Sequence, residues 1–276
     1  MSGTIAHLSA SGSDQSLNVI VADTTMSTEP MMGEKSKKQG AAGKIKHKNY
    51  QEESAPVKEG LTTVAHCCIL AFVSLILYLC FKEPFDFFTW HPLLLSLGWM
   101  FLMSEGILAL SKESILRKKF KISGSLKIFL HWTSLTAAAI LILIGFLVIT
   151  INKNRLNKYH YTSWHGLLGL IAVITYIPPC INGVATLYGK DLKAYLNPKI
   201  VKLVHVVTGT LCFACGGISL ILSVYTKWFA RRTNSNLFVF LLGLVITIFP
   251  VIWVVQRPLI KSVTNISKMF SKQDKD

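Results

Sequence analysis

The sequence predicts an all-α integral membrane protein with six transmembrane helices, of which the second to the fifth form a four-helix core. Three observations predict it. Half of the 276 residues are hydrophobic, only 16% are charged, and the apolar residues gather in six blocks. These blocks cover residues 61–81, 90–110, 128–151, 164–187, 200–225 and 236–255, and they are almost free of Lys, Arg and Asp. A helix rising about 1.5 Å per residue crosses a hydrocarbon core of about 30 Å in roughly 20 residues, so each block is long enough to span. Continuous apolar runs lack the period of two that barrel strands require, and within lipid only helices or closed barrels satisfy the backbone.

Residues 1–58 precede the first block. They are rich in Ser, Gly, Lys and Glu and hold no apolar period, which reads as a disordered tail; no apolar core followed by a small-residue cleavage site marks them as a signal peptide. Residues 59–260 form the six-helix domain, and residues 261–276 a short second tail. With the amino terminus in the cytosol, 22 of the 29 Lys and Arg lie on the inner side and 7 on the outer. Leaving out the long tail, whose distant charges count little, the bias is 15 to 7, which places both termini in the cytosol. The membrane expected is that of the endoplasmic reticulum or a vesicle.

A net charge of +15 raises the question of nucleic acid. Here the charges flank spans and build no single basic domain, so they are assigned to anionic lipid and no nucleic-acid partner is expected. All six cysteines, Cys67, Cys68, Cys80, Cys180, Cys212 and Cys215, fall inside or at the ends of blocks. No extracellular disulfide framework follows, and the Cys212–Cys215 C-x-x-C reads as small-residue packing.

Eight histidines remain. His7 and His47 belong to the tail, His160 to a loop, and His66 lies early in the first block as a packing or interfacial residue. The other four form a pattern, because His91, His131, His165 and His205 each stand in the first turns of successive spans two to five. Consecutive spans run in opposite directions. The starts of the second and fourth therefore face one surface, pairing His91 with His165 near the outside, while the third and fifth pair His131 with His205 near the cytosol.

Two imidazoles facing each other across a bundle suit a six-coordinate haem iron, whose other four nitrogens come from the porphyrin. With no open position, such an iron is fitted to electron transfer. The prediction is two b-type haems held by His91 with His165 and His131 with His205, about 20 Å apart along the membrane normal. Cys212 and Cys215 are not followed by the histidine of covalent c-type attachment. Gly169 follows His165 by four residues and Gly209 follows His205 likewise; a missing side chain on the same helical face leaves room for a flat macrocycle or for close helix packing. Glu105, in the cytosolic half of the second span, is placed to accept a hydrogen bond from a ligand imidazole or a proton on reduction.

These residues resemble the cytochrome b561 family over roughly residues 60–260. Thr89-Trp90-His91-Pro92-Leu93-Leu94-Leu95-Ser96 and Phe101-Leu102-Met103-Ser104-Glu105 are similar to the start and middle of that family's second helix. His131-Trp132, Trp164-His165-Gly166 and His205 with Thr208-Gly209 stand where its other ligands occur. The resemblance implies a transmembrane reductase in which cytosolic ascorbate is the donor, and monodehydroascorbate or ferric iron in a lumen is the acceptor. Where better known members have an aromatic and a basic residue at the cytosolic end of the second helix, this chain has Leu110, Ser111 and Lys112. A homodimer is the assembly considered.

The densest basic loop, with Lys112, Lys118, Lys119 and Lys127, is a candidate rim for attracting the ascorbate monoanion, although positive-inside topology alone would also put lysines there. Two other classes compete with the reductase: a di-haem cytochrome b subunit of a quinol-linked complex, and a six-helix transporter with structural histidines. The sequon Asn265-Ile266-Ser267 lies on the expected cytosolic side and is expected to be unused.

Overall fold

The computed structural model of the protein describes residues 32–111 and 122–273. Six helices are long and apolar enough to cross a membrane: Pro56–Phe81, Phe87–Leu108, Gly124–Arg155, Trp164–Leu187, Pro198–Ser223 and Leu237–Ser267, called spans 1 to 6 in chain order. No strand occurs among the described residues. The chain is an all-α, multi-pass membrane protein, as composition and block length predict.

Several spans start where the sequence supplies a cap. Ser123, Ser163 and Asn197, all in extended backbone, accept hydrogen bonds from the N–H groups of Leu126, Gly166 and Lys199. Each satisfies a donor that a helix start leaves orphaned. Pro198 stands in the first turn of span 5, where its missing N–H costs nothing. The caps also set the depth of the histidines: His165 is the second residue of the helix that opens at Trp164, and His205 the eighth of the helix that opens at Pro198. His91 and His131 repeat those two positions, second after a start at Trp90 and eighth after a start at Gly124.

Two spans depart from a plain α-helix. Span 2 widens to a π-helix over Ser96–Met103, a geometry that rotates the following residues relative to the preceding ones. In span 4 the helix Trp164–Thr175 gives way at Tyr176 to Ile177–Leu187, because Pro178 and Pro179 have no N–H to donate. Spans 2 and 3 pack together, as do spans 4 and 5, and span 6 lies against span 5. At the centre, the Trp99 indole occupies the space that a side chain at Gly216 would need, and it meets Tyr176 edge-on at 6.2 Å. The Tyr176 hydroxyl donates to the Leu135 carbonyl on span 3 at 2.8 Å.

The tail differs from the sequence reading. One helix runs over Met32–Phe81, so residues 32–58, expected to be disordered, are helical, with residues 32–52 assigned to a unit separate from residues 53–276. Lys, Glu, Gln and Ala are good helix formers, and no proline precedes Pro56 in that helix. At the other end the last helix continues from Leu237 to Gln273, past the boundary expected at residue 260. Residues 1–31 lie outside the described residues.

Candidate functional site

The antiparallel bundle brings the four span-start histidines together as two pairs. The rings of His91 and His165 have centroids 6.2 Å apart and planes at 79°. Those of His131 and His205 are 6.3 Å apart, at 86°.

Every one of the four rings is fixed in the same way. His91 Nδ1 lies 3.0 Å from the Gly145 carbonyl oxygen, and His131 Nδ1 lies 2.9 Å from that of Gly106. His165 Nδ1 is 2.9 Å from the Ser219 carbonyl and His205 Nδ1 3.0 Å from that of Pro179. A carbonyl can only accept, so each Nδ1 carries the proton and donates it. The tautomer that follows leaves the Nε2 lone pair of each ring available as a ligand.

Glycines admit this arrangement at three points, one of them Gly145, the anchor of His91, where a Cβ would overlap the Leu95 side chain. A Cβ on Gly183 would stand 3.2 Å from His205 Cε1, and one on Gly106 only 2.7 Å from Leu135 Cδ2, so a side chain at either would displace a histidine or the helix that anchors one. Gly169 lines the space beside His165, where a Cβ would touch Ser219 Oγ at 3.3 Å. At Gly209 a Cβ would meet only Pro179 Cβ, at 3.7 Å.

The donor set fits a haem better than a bare metal. Two imidazole nitrogens bound on opposite sides of an iron at about 2.0 Å, with each ring centre about 1.1 Å further out, have centroids roughly 6.2 Å apart. Among the described residues no group of three or more His, Cys, Asp or Glu could hold an ion. Two protein ligands per site is what a macrocycle completes. Around His91 and His165 lies a cavity of about 330 Å³, lined by Phe72, Phe88, Trp99, Gly169, Ser219 and Trp228, with Lys153 and His160 adding polar groups. The Trp228 Nε1–H is buried there with no hydrogen-bond partner among the described residues.

Glu105 does not bond a ligand imidazole, the first of the two roles expected for it. Its carboxylate accepts from His66 Nδ1 at 2.8 Å, while the His131 and His205 imidazoles donate to backbone carbonyls. Main-chain acceptors thus take the place expected for the carboxylate, and His66, expected to be a lone packing or interfacial residue, is its partner instead. Lys127 lies one turn before His131 in span 3, half-buried; Lys112, Lys118 and Lys119 fall outside the described residues. Arg232, an outer-loop charge by the sequence reading, is 2% exposed, pairs with Glu83 at 3.3 Å and stacks over Trp228 at 5.7 Å.

Helices crossing a membrane around inward imidazole pairs define a class of membrane cytochromes. A family model described as eukaryotic cytochrome b561 matches residues 90–230, which holds all four paired histidines. The transmembrane reductase CYB561D2 of Bos taurus is 33% identical over 189 residues, 67% of this chain and 83% of that protein. The probable transmembrane reductase CYB561D1 of Mus musculus is 25% identical over 188 residues, 68% of this chain and 80% of that protein. The plasma membrane ascorbate-dependent reductase CYBRD1 of Xenopus tropicalis is 28% identical over 185 residues, 62% of each. The chain belongs to the cytochrome b561 family, whose members are haem b proteins, and it is an oxidoreductase of the membrane.

Proposed function

We propose that the protein is a two-haem transmembrane reductase, with His91 and His165 as axial ligands at one end of the bundle and His131 and His205 at the other. The observation that carries this reading is the repeated geometry: two pairs at the ligation spacing, each ring held through Nδ1 by a backbone carbonyl. Haem held there by the two imidazoles of each pair would supply a one-electron centre. The chain's own part is to orient the rings, keep Nε2 unprotonated and exclude water through the packed bundle between the pairs.

The charge bias of 15 to 7 supports cytosolic termini, so the His131 and His205 pair faces the cytosol. The donor is ascorbate, in keeping with the name of the Xenopus relative, and the acceptor on the lumenal side is monodehydroascorbate or ferric iron. Lys127, one turn from His131, and the basic loop before it favour the approach of a monoanion. The purified full-length chain should show a b-type spectrum, carry two haems per polypeptide and be reduced by ascorbate alone. One haem per chain, or reduction by a quinol and not by ascorbate, would reject the reading.

A further inference from the structure

His66 and Glu105 form an ionisable pair inside the membrane domain that the paired-histidine sites do not use. The two residues are 39 apart in sequence, on spans 1 and 2, and His66 Nδ1 donates to Glu105 Oε1 at 2.8 Å. The His66 Nε2 is buried and without a hydrogen-bond partner among the described residues, yet about a quarter of each side chain, 25% and 26%, remains exposed. Ionisable residues within a membrane are costly and tend to serve a function. The peptide group next to Glu105 is the anchor of His131, because the following residue, Gly106, supplies the carbonyl that its Nδ1–H meets at 2.9 Å.

We infer that the His66–Glu105 pair is a proton-binding site whose occupancy is coupled to the electron held at the His131 and His205 pair. The inference rests on the two-haem reading. When one electron enters on that side, one proton from the aqueous phase binds His66 Nε2, and the resulting imidazolium keeps its Nδ1–H on the Glu105 carboxylate. The electron comes from the donor, the proton from water, and nothing else is consumed.

The sign follows from charge. An electron added at the pair whose His131 ring is bonded to the Gly106 carbonyl, next to Glu105, makes the local potential more negative and draws a proton to the His66–Glu105 pair; by linkage, a proton there makes the electron easier to add. Other charged groups on the packed elements are Lys58 and Glu59, earlier in span 1, Lys127 on span 3 and Arg257 on span 6. Arg257 Nη2 donates to Thr62 Oγ1 at 3.4 Å, one turn before His66. Cys67 and Cys68 adjoin His66 in the sequence.

Spectroelectrochemical titration of the full-length holoprotein between about pH 5 and 8 tests this. The midpoint of the centre that is lost in His131→Ala should fall as pH rises, by up to about 59 mV per pH unit for one proton per electron. In His66→Gln and in Glu105→Gln that slope should flatten while both haem spectra and the slope of the other centre stay as they were. A midpoint that does not change with pH in the unmodified protein, or an unchanged slope in His66→Gln, would overturn the inference and leave the two-haem reading intact. Failure to bind two haems would remove both.

Discussion

The Nδ1–H of His131 donates to the carbonyl oxygen of Gly106, 25 residues away, at 2.9 Å. A single hydrogen bond thus ties the orientation of a ring on span 3 to the height of span 2, and the close approach it needs exists because residue 106 has no side chain. A Cβ there would lie 2.7 Å from Leu135 Cδ2 and 3.0 Å from Ser134 Cβ.

Gly106→Val should therefore force spans 2 and 3 apart, at a cost of about 1–3 kcal/mol for overpacking. With its hydrogen bond stretched, the His131 ring becomes a poorer donor to ferric iron, so the midpoint of that one centre should rise. Thermal unfolding and a redox titration check the two effects; an unmoved midpoint would separate the hydrogen bond from the electronics of the site.

Gly183→Val places a side chain against His205, where even a Cβ would stand 3.2 Å from Cε1. The haem content should halve, and the surviving spectrum should match that of His131→Ala. Gly60→Val serves as the control, since a Cβ there meets nothing within 4 Å, and it should keep full haem content.

Partners in one site should not add. Removing His165 from a chain that already lacks His91 should cost little further haem, whereas combining His91→Ala with His131→Ala should remove both centres. Additive loss within the 6.2 Å pair would contradict shared ligation.

Neutralising Lys118, Lys119 and Lys127 should slow reduction by ascorbate, more at low salt than at high, and leave the absorption spectrum unchanged. Stopped-flow rates at two ionic strengths decide it. Equal rates would reduce these lysines to topology signals.

In sealed microsomes, added protease should cut the segment before Leu61. Its protection until detergent is added would exchange the donor and acceptor sides.

The spans were legible because an apolar run of membrane length is too long and too continuous for a buried helix of a small soluble domain. The pairing of His91 with His165 was open to inference from the alternation of span direction. What escaped was carried by the backbone or by distance. Nothing in the residue types of Gly145, Gly106, Ser219 or Pro179 shows that their carbonyls receive imidazole protons. His66 and Glu105, each ambiguous alone, acquire meaning only when spans 1 and 2 are side by side. The helix over residues 32–58 was obscured by polar composition, which disordered tails and solvated helices share. Arg232 resembled a loop cation, and only its contacts with Glu83 and Trp228 show that it is buried.

All four imidazole anchors are peptide carbonyls, and this changes what mutation can do to the site. A side-chain partner can be erased by one codon, whereas a peptide oxygen survives any substitution that leaves the helix in place. The residues that supply these carbonyls are thus constrained by packing alone, as at Gly106 and Gly145, while the tautomer they enforce is inherited through the path of the chain. A change of side chain at Ser219 would leave its carbonyl in place as the acceptor of the His165 Nδ1–H, so a comparison letter by letter would miss that the hydrogen bond had been kept.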